Sequence, residues 1–216
     1  MKKTIILAAS MLLFSVSVGQ AQFLGQLCPA PTLDPGQASA GAYLGVYEDA
    51  FSVFGQFRYG IARYFDLGLK MGMIRWSPGY GESKTGLTVG GDVKYWFMER
   101  AGGDPLDVSV AAASEYLDVS DFSILTLGGN VIASYRIEYA EGKSVTPYGR
   151  LNIRWERDHF PDSPVLREEG SWSHNEMNVA LAMGAEMKLA SDLNLVGELQ
   201  IDDNVGFIVG LSYSIF

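Results

Sequence analysis

Two histidines, His159 and His174, flank the longest stretch without regular hydrophobic alternation, and each has an acid nearby in sequence, Asp158 and Glu176. A carboxylate that orients an imidazole, with the imidazole drawing a proton from a hydroxyl or a water, is the basis of nucleophilic and general-base hydrolysis. Ser171-Trp172-Ser173-His174 adds hydroxyls to the same region. Adjacent strand residues point to opposite faces, so Ser173 and His174 cannot work as a pair on one face, and no catalytic residue is assigned. Asp202-Asp203-Asn204 reads as a tight hairpin before it reads as a calcium loop. Cys28 is the only cysteine of the 216 residues, which excludes a disulfide within the chain and suits an inert thiol. No spacing of His, Cys, Asp and Glu implies a metal, and none implies a cofactor.

The elements that would position these side chains show a period of two almost throughout. Phe51, Val53, Phe57, Tyr59 and Ile61 alternate with Ser52, Gln56, Arg58 and Gly60. The same dyads recur around Leu67–Met73, Leu87–Phe97, Leu106–Tyr116, Leu125–Tyr139, Leu151–Trp155, Met177–Met187, Leu195–Ile201 and Phe207–Ile215. A less clear strand near 40–48, where Leu44 and Val46 take the opposite parity, brings the number to ten; eight or twelve also fit. Composition agrees: 48% hydrophobic residues, 25 glycines and 12% aromatics are too apolar for a disordered chain. A net charge of −9 disfavours contact with nucleic acid.

Residues 1–21 read as a signal peptide: Lys2 and Lys3, an apolar run from Ile5 to Val18, and small residues at Gly19-Gln20-Ala21 for cleavage. Removing them takes the charge from −9 to −11. Residues 22–37, with Pro29, Pro31 and Pro35, read as a periplasmic N-terminal arm, and residues 38–216 as the barrel. No later run is long and apolar enough for a transmembrane helix. An exported, strand-rich chain is then soluble or a membrane-spanning barrel, the closed sheet that satisfies its own backbone in lipid.

The second face of the dyads decides between them. One face is bulky and nearly uncharged. The other carries Arg58, Lys70, Asp92, Lys94, Asp107, Glu115, Arg136, Glu138, Arg150, Arg154, Glu156, Glu186, Lys188 and Glu198, interleaved with glycine, alanine and serine. A solvent face has no need of so many small residues, whereas a crowded bore does. Near-balanced charge implies a lumen closed by ion pairs rather than an open pore. Tyr59, Tyr95, Phe97, Tyr139 and Tyr213 lie toward the short turns, and Trp76, Tyr116 and Trp155 toward the longer loops, as two interfacial belts would. The expected fold is all-β, a closed antiparallel transmembrane barrel with both termini periplasmic.

With the signal segment, the dyads and the closing strand Val205–Phe216, the chain resembles the small bacterial outer-membrane β-barrel proteins of the OmpA/OmpX-like class. Arg58-Tyr59-Gly60-Ile61 with Phe65-Asp66-Leu67-Gly68-Leu69, and Thr146-Pro147-Tyr148, carry the same likeness. The resemblance implies the outer membrane of a Gram-negative cell, contact with its lipids and lipopolysaccharide, and Phe216 as a signal to the barrel-assembly machinery. Phe216 departs from the parity of Tyr213 and Ile215. The loop end is acidic, with Glu48, Asp49, Asp118 and Asp158 among its charges. Oxygen-rich rims attract hard cations, so bridging Mg²⁺ or Ca²⁺ to lipopolysaccharide phosphates is an expectation there, beside the plainer one of a solvated loop. The expected function is non-enzymatic: envelope structure, surface contact or a narrow pore. The rivals are a rim enzyme, omptin-like protease or lipid hydrolase, and a channel for small or hydrophobic solutes.

Overall fold

Residues 26–77, 83–100, 103–119, 122–160, 172–202 and 204–215 are described by a computed structural model. The expected signal segment and Phe216 lie outside them. The strands are β1 (Ala38–Tyr47), β2 (Ala50–Ala62), β3 (Phe65–Trp76), β4 (Lys84–Met98), β5 (Asp107–Val119), β6 (Phe122–Ser134), β7 (Ile137–Ala140), β8 (Lys143–Phe160), β9 (Trp172–Lys188), β10 (Leu193–Ile201) and β11 (Val205–Ser214). Each pairs antiparallel with its neighbour in the order β6-β5-β4-β3-β2-β1-β11-β10-β9-β8-β7, and β6 also pairs with β8, which closes the sheet into a barrel. The seam between β1 and β11 runs unbroken from Ser39↔Ser214 to Tyr47↔Gly206.

The wall has the ten strands expected, because β6 and β7 are two parts of one. Ser134 pairs with Tyr148 and Ile137 with Val145, on the same register. Between them Tyr135 N–H donates to the Pro147 carbonyl at 3.1 Å. The reciprocal bond of that pair needs an N–H that proline lacks, so the ladder breaks there and resumes.

The dyads sort as expected. In β2 and β3, Phe51, Val53, Phe57, Leu67, Leu69, Met71 and Met73 face outward, while Ser52, Phe54, Gln56, Arg58 and Lys70 are buried inside. β1 resolves its ambiguity in favour of the even positions: Leu44 and Val46 face outward, and Tyr43 and Tyr47 turn in. Those two tyrosines are not free to join an interfacial belt, because they form an apolar cluster inside the bore with Phe54, Val196, Ile208 and Leu27.

Leu27 marks the main departure from the expected organisation. The described part of the 22–37 arm does not hang free. Gln26–Leu33 folds back into the bore, with Gln26, Leu27 and Ala30 fully buried. The local cause is a turn. Gln37 N–H donates to the Asp34 carbonyl at 3.0 Å, and Gly36 sits at φ +84°. Proline at the second position and left-handed glycine at the third are the requirements of a type II turn. Gly36 N–H then bonds the Gly60 carbonyl, and Gly60 N–H bonds Gln37. Gly60 must be glycine, since a Cβ there would lie 2.2 Å from the Asp34 carbonyl.

Candidate functional site

The polar interior is the candidate site, and it is built in tiers. At the short-turn end, β2, β3 and β4 place Arg58, Asp66, Asp92 and Lys94 side by side, because Arg58 pairs in register with Gly68 and Gly68 with Asp92. Arg58 forms ion pairs with Asp66 and with Asp92 (2.8 Å), and Lys94 lies 3.5 Å from Asp66. Gly68 leaves the gap in which the Arg58–Asp92 pair lies: a Cβ there would meet Asp92 Oδ2 at 2.3 Å. Three of these four charges, Asp66, Asp92 and Lys94, grip the N-terminal segment. Lys94 Nζ donates to the carbonyls of Pro29 (3.1 Å) and Pro31 (2.8 Å). It also lies 3.4 Å from Cys28 Sγ. Gln26 Nε2 donates to Asp92 at 2.8 Å, Leu33 N–H to Asp66 at 3.3 Å, and Ala30 N–H to Ser134 Oγ at 3.1 Å.

Further along the bore, Lys70 pairs with Glu115 at 2.8 Å, and Thr88 donates to the same carboxylate at 3.1 Å. Glu198 accepts from Arg150 (2.5 Å), Tyr148 (2.8 Å) and Gln200 (2.8 Å), joining β8 to β10 over the inner face of β9. Toward the loop end, Arg154 pairs with Glu156 and Asp202, and Asn178 donates to Glu156 at 2.9 Å. Charges this deep are tolerable only because each has a partner. Some neutral atoms do not: Asn130 Oδ1 and Nδ2, and Asn152 Oδ1, have no protein partner, although the two residues face each other across β6 and β8. Buried polar groups of that kind call for bound water.

Most of the expected network is brought together. Arg58, Lys70, Asp92, Lys94, Asp107, Glu115, Arg150, Arg154, Glu156 and Glu198 are buried in the bore. Glu186 and Lys188 are half-buried on the inward face. Arg136 and Glu138 are different. They pair with each other at 3.3 Å but stand 53% and 71% exposed at the short-turn end. Their parity is inward, but they stand at the short-turn rim of the wall, where Arg136 borders the cavity beside Glu186. Asp66, at the centre of the first tier, went unrecognised because it reads as a turn residue. Its parity with Gly68 and Lys70 was the usable signal. Tyr43, Tyr47 and Tyr148 were missed because tyrosine in a strand suggests an interface before a bore.

Of the expected belts, Tyr59, Tyr95, Phe97, Tyr116, Tyr139 and Tyr213 face outward and are exposed. Phe65 and Tyr95 stack there at 4.6 Å. Trp155 is half-buried on the outward face. Trp76 has inward parity and packs edge-on against Phe122 at 5.9 Å, at the loop-end rim. In the short turn between β2 and β3, the Tyr64 hydroxyl donates to Glu99 at 3.0 Å, a bond that pushes the phenol above its ordinary pKa.

The hydrolytic candidates are separated by register. Asp158 faces His174 across β8 and β9, while His159 faces Ser173. The two pairs occupy alternate faces, so no Ser-His-Asp set gathers on one side. Ser171 and the loop acids of 161–170 lie outside the described residues. Among the described residues no group of acids, histidines or cysteine is arranged to hold a metal.

A closed antiparallel wall, apolar outside and filled inside by paired charges, defines a transmembrane β-barrel, the class that stands in bacterial outer membranes. No protein-family profile and no curated protein matches the chain. Three solved structures of low similarity are of that class. The N-terminal barrel of Pseudomonas aeruginosa OprF is 8% identical, with 85% of this chain and all of that one covered and a TM-score of 0.41. The KdgM porin is 10% identical over 82% of this chain and 99% of its own, also at 0.41. Neisserial surface protein A is 9% identical over 82% and 93%, at 0.39. Likeness at this level assigns no ligand and no role.

Proposed function

We propose that the chain is a non-enzymatic outer-membrane barrel whose bore is closed at rest, acting as an envelope-wall or surface-contact protein with slow passage of small solutes at most. One observation carries this reading: among the described residues the buried charged tiers, from Arg58–Asp92 to Arg154–Glu156, are ion-paired along the inner wall and fill the bore, with Asp107 held instead by a backbone amide. Its partners on this reading are membrane lipids, lipopolysaccharide met through divalent cations at the acidic rim, and the assembly machinery that inserts the closing strand. Reconstitution into planar bilayers tests it. The folded protein should show no large steady conductance, and a porin-sized steady current would refute it. Unpartnered Asn130 and Asn152 favour the narrow-pore version over a dry plug. The enzyme reading is tested by His159→Ala and His174→Ala together with lipid-hydrolase and protease assays. Hydrolysis lost in both variants would replace the present proposal.

A further inference from the structure

Resting on that narrow-pore version, we propose that the barrel is a gated channel preferring small cations, and that its gate is its own segment Gln26–Leu33. The segment sits in the short-turn mouth, where Asp66 of β3, Asp92 and Lys94 of β4 and Ser134 of β6 hold it along one arc of the wall. The ten wall strands close without it, since β1 to β11 and β6 to β8 pair directly. It is held by side-chain contacts to the wall, not by a place in the ladder.

Withdrawal strands no charge. Without the segment, Asp66 keeps Arg58 and Lys94, Asp92 keeps Arg58, and Lys94 keeps Asp66. The tier that grips the segment is therefore satisfied in both positions, which is what a two-state element needs. Leu27 holds φ +39°, a strained setting for a leucine, so release relieves strain while it gives up the contact with Tyr43 and Phe54. A cavity of about 230 Å³ lies beside the segment, bounded by Cys28, Pro31, Ser39, Arg136, Glu186 and Ser212, and gives it room to shift.

The charge of the opened bore sets the solute. Among the described residues, six buried acids face five buried bases on the inward surface. Half-buried Asp158, Glu176, Glu186 and Asp202 against Lys84 and Lys188 widen this to ten against seven. A narrow, low-dielectric channel with a net negative lining concentrates cations.

Single-channel recording of the whole protein in a KCl gradient tests the gate. Two variants accompany it: Gln26→Ala with Ser134→Ala, which loosens the segment and leaves the wall ion pairs intact, and replacement of residues 26–33 by a Gly-Ser run of equal length. The wild type should be mostly closed with brief openings. The double variant should raise the open fraction about tenfold, the scale of a buried hydrogen bond lost. The Gly-Ser chain should open far more often than the wild type, with a small conductance set by the ion-paired tiers that remain deeper in the bore and a reversal potential on the cation side. A small thiol reagent should reach Cys28, the only thiol, from the short-turn side alone and alter the openings. The gate is overturned if variants that still show the heat-dependent gel shift of a folded barrel are as silent as the wild type, a result that leaves the closed-barrel reading standing. It is overturned equally if the wild type already conducts as the variants do, and its solute class is overturned by anion selectivity. If the Gly-Ser chain does not fold, the double variant decides. A chain that never inserts into lipid refutes the barrel reading itself.

Discussion

Asp66 ties the wall tier to the inserted segment: it pairs with Arg58 and Lys94 and accepts the Leu33 amide. Asp66→Asn keeps the shape and removes the charge, leaving two buried cations short of a partner. A loss of about 3–5 kcal/mol is expected, the range for breaking a buried pair, read as a shift in the urea midpoint of the barrel folded in detergent. Asp107→Asn is the contrasting change. Its carboxylate accepts one backbone amide, from Arg100 at 2.9 Å, and about 1–3 kcal/mol should be lost. Gly68→Ala tests the same tier by volume. A methyl there strikes the Asp92 carboxylate, and overpacking of this kind costs about 1–3 kcal/mol. An unchanged midpoint for Gly68→Ala would mean the Arg58–Asp92 pair lies elsewhere.

Strands define the next scale, because each side chain's solvent is fixed by its place in the dyad. Met71 is mid-strand in β3 and 68% exposed on the outward face. Met71→Arg should cost about 2–4 kcal/mol of folding free energy into phospholipid vesicles. The same change in detergent micelles, which yield to a charge, should cost less. Were the outward face in water, Met71→Arg would be nearly neutral in both. The turn before β1 is tested by Gly36→Ala, which forces a Cβ into the left-handed region at φ +84°. About 1–2 kcal/mol of strain is expected. Because the turn aims the segment into the bore, Cys28 should also react faster with a thiol reagent in that variant.

For the whole molecule, the expectation is a detergent-dependent wall that migrates faster unheated than boiled, since the closed sheet resists unfolding until heated. The alternation was legible because strand geometry alone sends successive residues to opposite sides, and the near-balanced charges beside small residues showed which side was enclosed. The ten strands, the bore assignment of Arg58, Lys94, Arg150 and Glu198, and the outward tyrosines all follow from that local rule. What parity cannot carry is distance along the barrel. Arg136 and Glu138 have the inward parity of their neighbours and are still largely exposed, since they stand at the rim where the strand meets its turn. Nor does a proline-rich stretch declare whether it leads away or turns back. Asp34-Pro35-Gly36 encodes the turn, but its direction into the bore depends on Gly60 beside it and on Lys94, β-strands away, offering donors to two carbonyls. The sequence by itself determined the faces, because a period of two is written residue by residue. Only the closed tertiary structure decided what fills the bore, because that filling is made of contacts between residues far apart in the chain that meet when the first strand joins the last.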